Sequence, residues 1–211
     1  VSEFFTGVRR DPDFLVYLAS QSPRRRTLLE QIGVPCRVMP VDIPELPQPG
    51  EAPALYVERL ALEKARTCRE RLAASGESDD GLRSATILGA DTSVVVDNEV
   101  LGKPRDRADG LAMLRRLSGR DHEVLTGVAV IRGAAVHCAL SVSRVRFAPL
   151  SDAAIAAYWD TGEPADKAGA YAVQGFGAAF IERIEGSYSG VMGLPLFEVA
   201  NLLARVHQES L

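Results

Sequence analysis

The stretch Thr86-Ile87-Leu88-Gly89-Ala90-Asp91-Thr92-Ser93-Val94-Val95-Val96 reads as a buried β-strand with a carboxylate at its centre. Its β-branched and aliphatic content argues for strand. An ionised Asp left unpartnered in such a strand costs several kcal/mol or more, on the order of the penalty for any buried charge. Asp91 therefore needs a metal ion, a basic side chain, or a polar cleft into which the strand opens. The first and third of these are how catalytic sites are built.

Outward from that strand, elements alternate along the chain. Residues 1–13 look like a loose, disordered extension, and residues 14–211 are expected to form one domain. Phe14–Ala19 reads as a strand buried on both faces. Ser22 as N-cap and Pro23 at the first helical position open a helix to about Ile32, which Gly33 ends. Cys36–Val41 is a short strand, and Pro44–Pro53, with four prolines, is a loop. Leu55–Ala74 is a long amphipathic helix, and Ser75–Ser84 is a polar surface loop. After a turn at Asp97-Asn98 come a helix over Arg107–Leu117 and a hairpin of strands near Glu123–Ile131 and Ala135–Phe147. Ser151 caps a helix to about Asp160, Gly169–Ile184 mixes loop and strand, and Leu194–Val206 is a terminal helix. Strands alternating with helices, plus an antiparallel hairpin, predict an α/β fold: a mixed twisted sheet flanked by helices.

Bulk properties narrow the function. The 211 residues are 46% hydrophobic and 25% charged, enough for a sizeable core. The net charge of -4 and the pI near 5.5 give no footprint for nucleic acid. No apolar run has the length of a membrane span, and Val1–Phe14 lacks the apolar segment of a secretory signal. Cys36, Cys68 and Cys138 show neither disulfide nor zinc spacing and suit a reducing compartment. The expectation is a cytoplasmic protein.

Four groups of residues carry candidate chemistry. In Ser20-Gln21-Ser22-Pro23-Arg24-Arg25-Arg26, a strand ends and a helix starts with three arginines in its first turn. That is either a phosphate site or a solvated basic face. Lys64 is the only charge on the helical stripe Val57, Ala61, Lys64, Cys68, Leu72. It either faces an anion such as Asp91, Glu45 or a phosphate, or snorkels to the rim. Lys103, in Gly102-Lys103-Pro104, follows the Asp91 strand. The region Gly169–Gly177 is glycine-rich, and its Gln174 offers an amide that can pair with a base edge. The three histidines are scattered, and no nucleophile elbow is present. Cations, a buried carboxylate, the acidic loop residue Glu45 and a base-sized pocket together suit a nucleotide polyphosphate with a divalent metal.

These residues stand in segments that resemble the Maf family of nucleoside triphosphate pyrophosphatases, also called septum formation inhibitor Maf. The matching segments are Leu18-Ala19-Ser20-Gln21-Ser22-Pro23-Arg24-Arg25, Leu62-Glu63-Lys64-Ala65, Gly89-Ala90-Asp91-Thr92 and Gly102-Lys103-Pro104. Further along come Leu114–Gly119, Asp166-Lys167-Ala168-Gly169-Ala170-Tyr171, Gln174-Gly175 and Gly193-Leu194-Pro195-Leu196. The resemblance covers about residues 14–206. It implies a two-lobed fold with the site in the cleft, as in Maf and ITPase-like proteins, and often a homodimer. The implied reaction converts a nucleoside triphosphate to monophosphate and pyrophosphate.

Arg24, Thr92 and Gln174 stand at the family's specificity positions, and all three resemble the branch acting on dTTP and UTP rather than 7-methyl-GTP. The sequence departs from the family pattern at Ala172-Val173 and at Ser189-Gly190, and loses no charged group at either. On this resemblance Asp91 is general base or the carboxylate that orients water on a metal, with Glu45 as second ligand of Mg²⁺ or Mn²⁺ and Asp42 as the alternative. Lys64, Lys103, Arg24 and Arg25 would neutralise phosphates, Ser20 would hydrogen-bond them, and Gln174 would read the base. A nucleotide-sensing regulator of cell division, binding without efficient turnover, is the reading from another class.

Overall fold

The Asp91 strand, β3 (Thr86–Val96), is unbroken and sits inside a seven-stranded sheet. In the computed structural model, which describes residues 2–8, 11 and 14–209, the sheet is mixed. β1 (Val16–Ala19) pairs in parallel with both β2 (Cys36–Val38) and β3. On its other edge β3 runs antiparallel to β5 (Asp121–Arg132), followed by β6 (Ala135–Phe147) and β7 (Ile181–Glu185). Short β4 (Glu99–Leu101) folds back on β3 through Asp97-Asn98, both in the left-handed region at φ 54° and 62°.

The pleat of β3 places Ile87, Gly89, Asp91, Ser93 and Val95 on one face and Leu88, Ala90, Thr92, Val94 and Val96 on the other. Helix α3 (Pro53–Ala74) covers the first face, where Ala61, Ala65 and Cys68 pack on Ile87 and Ala129. The approach is close enough to exclude side chains. A Cβ on Gly89 would lie 2.1 Å from the Ala61 carbonyl oxygen, and one on Gly127 would lie 2.5 Å from that of Val57. This backbone contact sets the height of α3 above the sheet.

On the second face the apolar packing is divided. One cluster joins Leu88, Ala90, Val128 and Val130 to α2 (Pro23–Gln31) and α8 (Leu196–Gln208). Another joins Val94, Val96 and Val124 to α5 (Arg107–Leu117) and α6 (Asp152–Asp160). Between them, in register on β3 and β5, stand Thr92 and Thr126. The two clusters are the cores of two lobes that share the long strands, and the short helix α7 (Tyr188–Met192) lies beside the gap.

Three local expectations are corrected. Residues 2–8 are not a loose extension: α1 (Ser2–Thr6) buries Phe4, and Val8 follows it into the α8 cluster. The other residues of that segment, Asp11 apart, lie outside the described residues. Ser75–Ser84 is not all loop, because Ser78 caps a short helix, α4 (Asp79–Ser84), by accepting from the Gly81 N–H. The strand at Cys36 ends at Val38. Among the described residues no helix is long and apolar enough to cross a membrane, and the three cysteines are unpaired.

Gly89→Ala tests the α3 contact. The added methyl meets backbone rather than a flexible side chain, so stability should fall by about 1–3 kcal/mol in denaturant unfolding. An unchanged unfolding midpoint would contradict the close approach.

Candidate active site

Asp91 finds its compensation one helical turn above Gly89. Because α3 is drawn down onto the strand, the Lys64 ammonium reaches the Asp91 carboxylate, with Nζ to Oδ1 at 2.7 Å. Both side chains are only 10% exposed. The same Nζ lies 2.5 Å from Glu45 Oε1, on the proline-rich loop before α3. Lys64 thus faces inward, and one cation bridges two carboxylates.

Removing one partner of such a buried pair costs roughly 3–5 kcal/mol, because the other charge is stranded. Tyr56 fixes the loop by donating its hydroxyl to the Glu45 carbonyl at 3.0 Å. Burial, and then the neighbouring Asp91 and Glu45 charges, push that phenol up to about 12. Burial would raise the Glu45 carboxyl too, but the hydrogen bond and charge of Lys64, with Lys103 and Arg25, hold it below its ordinary value.

The three arginines at the start of α2 have separate fates. Arg26 turns outward to Glu30, at 2.7 Å. Arg24 donates to the Met192 carbonyl at 3.4 Å. Arg25 lies along the gap between the lobes and donates to the Gly193 carbonyl (2.8 Å), Ser20 Oγ (3.1 Å) and Thr92 Oγ1 (3.2 Å). Burial lowers its pKa, an effect that Asp91 opposes and Arg24 reinforces. Its remaining N–H hydrogens are left for an anion. Ser22, expected to cap α2, makes no side-chain cap; its N–H donates instead to Ser20 Oγ at 3.1 Å.

The hydroxyl protons in this cluster can be assigned by elimination. Thr126 Oγ1 donates to the Gly190 carbonyl at 2.8 Å, so in its 2.9 Å contact with Thr92 it must accept. Thr92 then gives its proton to Thr126 and accepts from Arg25. Its hydroxyl is fully used within the protein, and its side chain acts on the site by holding the Arg25 guanidinium.

A cleft of about 460 Å³ collects these groups. Every residue singled out in the sequence lines it: Ser20, Arg24, Arg25, Glu45, Lys64, Asp91, Thr92, Lys103 and Gln174. Asp42 is there too, as are Asp166 and Lys167, which pair with each other. The Gly169 N–H donates to the Gly102 carbonyl at 3.0 Å, joining the loops that carry Lys103 and Lys167. Five cationic side chains (Arg24, Arg25, Lys64, Lys103, Lys167) face four carboxylates (Asp42, Glu45, Asp91, Asp166). Opposite the Lys64 cluster, Gln174 is exposed, and its amide has no partner among the described residues.

Thr126 was missed in the sequence. The same signal that marks Asp91 marks it: a polar residue inside the apolar run of β5. Thr126→Val keeps the shape but takes one of two donors from the Gly190 carbonyl, which keeps the Gly193 N–H at 2.9 Å, and leaves the Thr92 hydroxyl proton without its acceptor; it should cost about 1–3 kcal/mol of stability. Chemical denaturation measures this, and a neutral substitution would refute the proton assignment.

A family model described as Maf-like protein matches residues 15–206. A protein of Burkholderia pseudomallei (strain 1710b) named dTTP/UTP pyrophosphatase is 54% identical over 200 residues, 91% of this chain and 93% of that one. Proteins of the same name from Saccharophagus degradans and Alkalilimnicola ehrlichii are each 53% identical over 188 residues. Those matches cover 89% of this chain in both cases, and 87% and 91% of the relatives. Among solved structures, the Staphylococcus aureus Ham1 protein aligns with a TM-score of 0.41 at 11% identity, over 63% of this chain and 71% of that one. The family match runs through the whole cleft, from Ser20 to Gly193, and the chain belongs to the Maf family.

Proposed function

We propose that the chain hydrolyses nucleoside triphosphates, dTTP and UTP foremost, to the monophosphate and pyrophosphate. The observation that carries the proposal is the Asp91–Lys64–Glu45 cluster, with Asp91 and Lys64 buried and Glu45 exposed, in a cation-lined cleft. The names of relatives that match almost end to end support the same substrates.

The donor set suits a hard divalent cation. Asp91 and Glu45 converge on one point, and each keeps an oxygen that Lys64 does not take. Among the described residues no group of three or more His, Cys, Asp and Glu is placed to hold a metal. A two-carboxylate site completed by substrate phosphates and water fits Mg²⁺ or Mn²⁺. The nearly balanced charge of the lining leaves a triphosphate under-neutralised by the protein alone, which favours the same conclusion. When bound, the cation supplies charge neutralisation on the phosphates.

The protein's own groups divide the remaining work. Lys103, Lys167, Arg24 and the free edge of Arg25 hold the phosphates and offset charge developing on the departing pyrophosphate. Lys64 fixes the Asp91 carboxylate through Oδ1, which leaves Oδ2 for one of two tasks: to accept a proton from water attacking the α-phosphorus, or to orient that water through the cation. Gln174 presents its amide to the imide edge that uracil and thymine share, so the 5-methyl group need not be distinguished. We place the protein in the cytoplasm, in keeping with its unpaired cysteines. We further expect a homodimer, for which the exposed Val136 and Val142 of β6 offer apolar surface.

Pyrophosphate release from dTTP, UTP, CTP, GTP and ATP, with Mg²⁺ or Mn²⁺ in ¹⁸O-water, tests the reaction. Release is expected chiefly from dTTP and UTP, with the label in the monophosphate. Nucleotide binding without release would favour the sensing role instead, and label in pyrophosphate would refute attack at the α-phosphorus.

A further inference from the structure

The segment that carries Gln174 has little regular structure to hold it. Ala172–Phe176 belongs to no strand, and its internal backbone bonds are sparse: Gly175 N–H to the Ala172 carbonyl at 3.4 Å, then Ala178 N–H to that of Gly175 at 3.1 Å. What holds it is a carboxylate from outside. Glu163, just after α6, accepts from the Phe176 N–H through Oε2 at 2.9 Å and from the Gly177 N–H through Oε1 at 3.0 Å. Oε1 also accepts the Tyr158 hydroxyl at 2.7 Å, and that hydroxyl in turn accepts the Ala172 N–H at 3.1 Å. The bonds fall on both sides of Gln174.

The chain wraps Glu163 so closely that a Cβ on Gly175 would lie 1.8 Å from Oε2. The requirement for glycine after Gln174 therefore comes from the carboxylate as well as from any ligand. Burial would raise the Glu163 carboxyl, but the Tyr158 and backbone hydrogen bonds and the charge of Lys167 outweigh it, so its pKa is lowered. The ionised form is the one that can accept all three donors, and charge-assisted bonds of this kind are the stronger class.

We propose that Glu163, seconded by Tyr158, is a positioning residue for base recognition: it clamps residues 172–177 so that Gln174 presents its amide at a fixed place in the cleft. Neither residue lines the cleft, and their side-chain hydrogen bonds go to each other and to the segment around Gln174. Their effect should therefore appear in recognition of the base and not in the handling of phosphates. The inference rests on the reading of Gln174 as the base contact.

Glu163→Gln keeps the volume but sets an NH₂ group against backbone N–H donors. The KM for UTP should rise about tenfold, the loss of roughly one charge-assisted hydrogen bond, with kcat within about twofold. Inorganic tripolyphosphate, which has no base, reads the phosphate side as a competitive inhibitor, and its Ki should not change. Tyr158→Phe should shift the UTP KM the same way by about tenfold, since it removes the charge-assisted bond to Glu163 and the acceptor of the Ala172 N–H, and it serves if the first variant is unstable. A UTP KM unchanged in the variants, or a rise matched by tripolyphosphate Ki, would overturn the clamp. Gln174→Ala measured alongside separates the two claims. If it raises the UTP KM while Glu163→Gln does not, the clamp alone fails; if it too leaves the KM unchanged, the base contact itself is wrong.

Discussion

The contact of α3 with β3 at Gly89 decides where everything else in the cleft can stand. Without a side chain at that position the helix backbone comes down onto the strand, its Ala61 carbonyl oxygen within 2.1 Å of where a Cβ would be. One turn further along, that height brings the Lys64 ammonium to bonding distance of Asp91, two residues further along the same face of β3. A taller contact would leave Asp91 buried and unpartnered, at the cost that burying a lone carboxylate entails. Stability and chemistry meet here, because the ion pair that makes Asp91 tolerable also orients it.

The other face of the strand explains the cleft. Apolar packing runs along both ends of β3 and β5 and stops at Thr92 and Thr126. Two hydroxyls in cross-strand register cannot join a hydrophobic layer without partners, and they find them in Arg25 and the Gly190 carbonyl. Arg25 in turn ties α2 and Ser20 to the Gly193 carbonyl. The lobes are separated by this polar seam, along which one guanidinium lies. That guanidinium keeps part of its donor edge open to an anion.

Much of the fold and site was legible in the sequence, and the structure chose among the readings the residues left open. A carboxylate in an apolar strand called for a metal, a basic side chain or a polar cleft, and a lysine alone on an apolar helical stripe for an anion or the rim; the structure makes each the other's partner. The Ser-Pro start of α2 fixed where that helix begins, although Ser20 rather than Ser22 proved to be the residue hydrogen-bonding there. What the sequence hid depended on contacts far apart in the chain. Phe4 and Val8 are buried only because α8 offers them a surface. Thr126 stands out as a polar residue in an apolar run, but its partners, Thr92 and the Gly190 carbonyl, are set only by the fold. The Glu163 clamp joins residues whose spacing corresponds to no motif of regular structure.

In the proposed function Asp91, held by Lys64, acts in the chemical step, so its replacement should affect turnover far more than nucleotide binding. The most direct measurement is UTP turnover by Asp91→Asn together with UTP binding and thermal unfolding of the same variant. Turnover should fall by about 10²–10⁴-fold, the usual contribution of a general base, while the nucleotide still binds and the protein still unfolds cooperatively. Turnover close to that of the parent protein would contradict the claim.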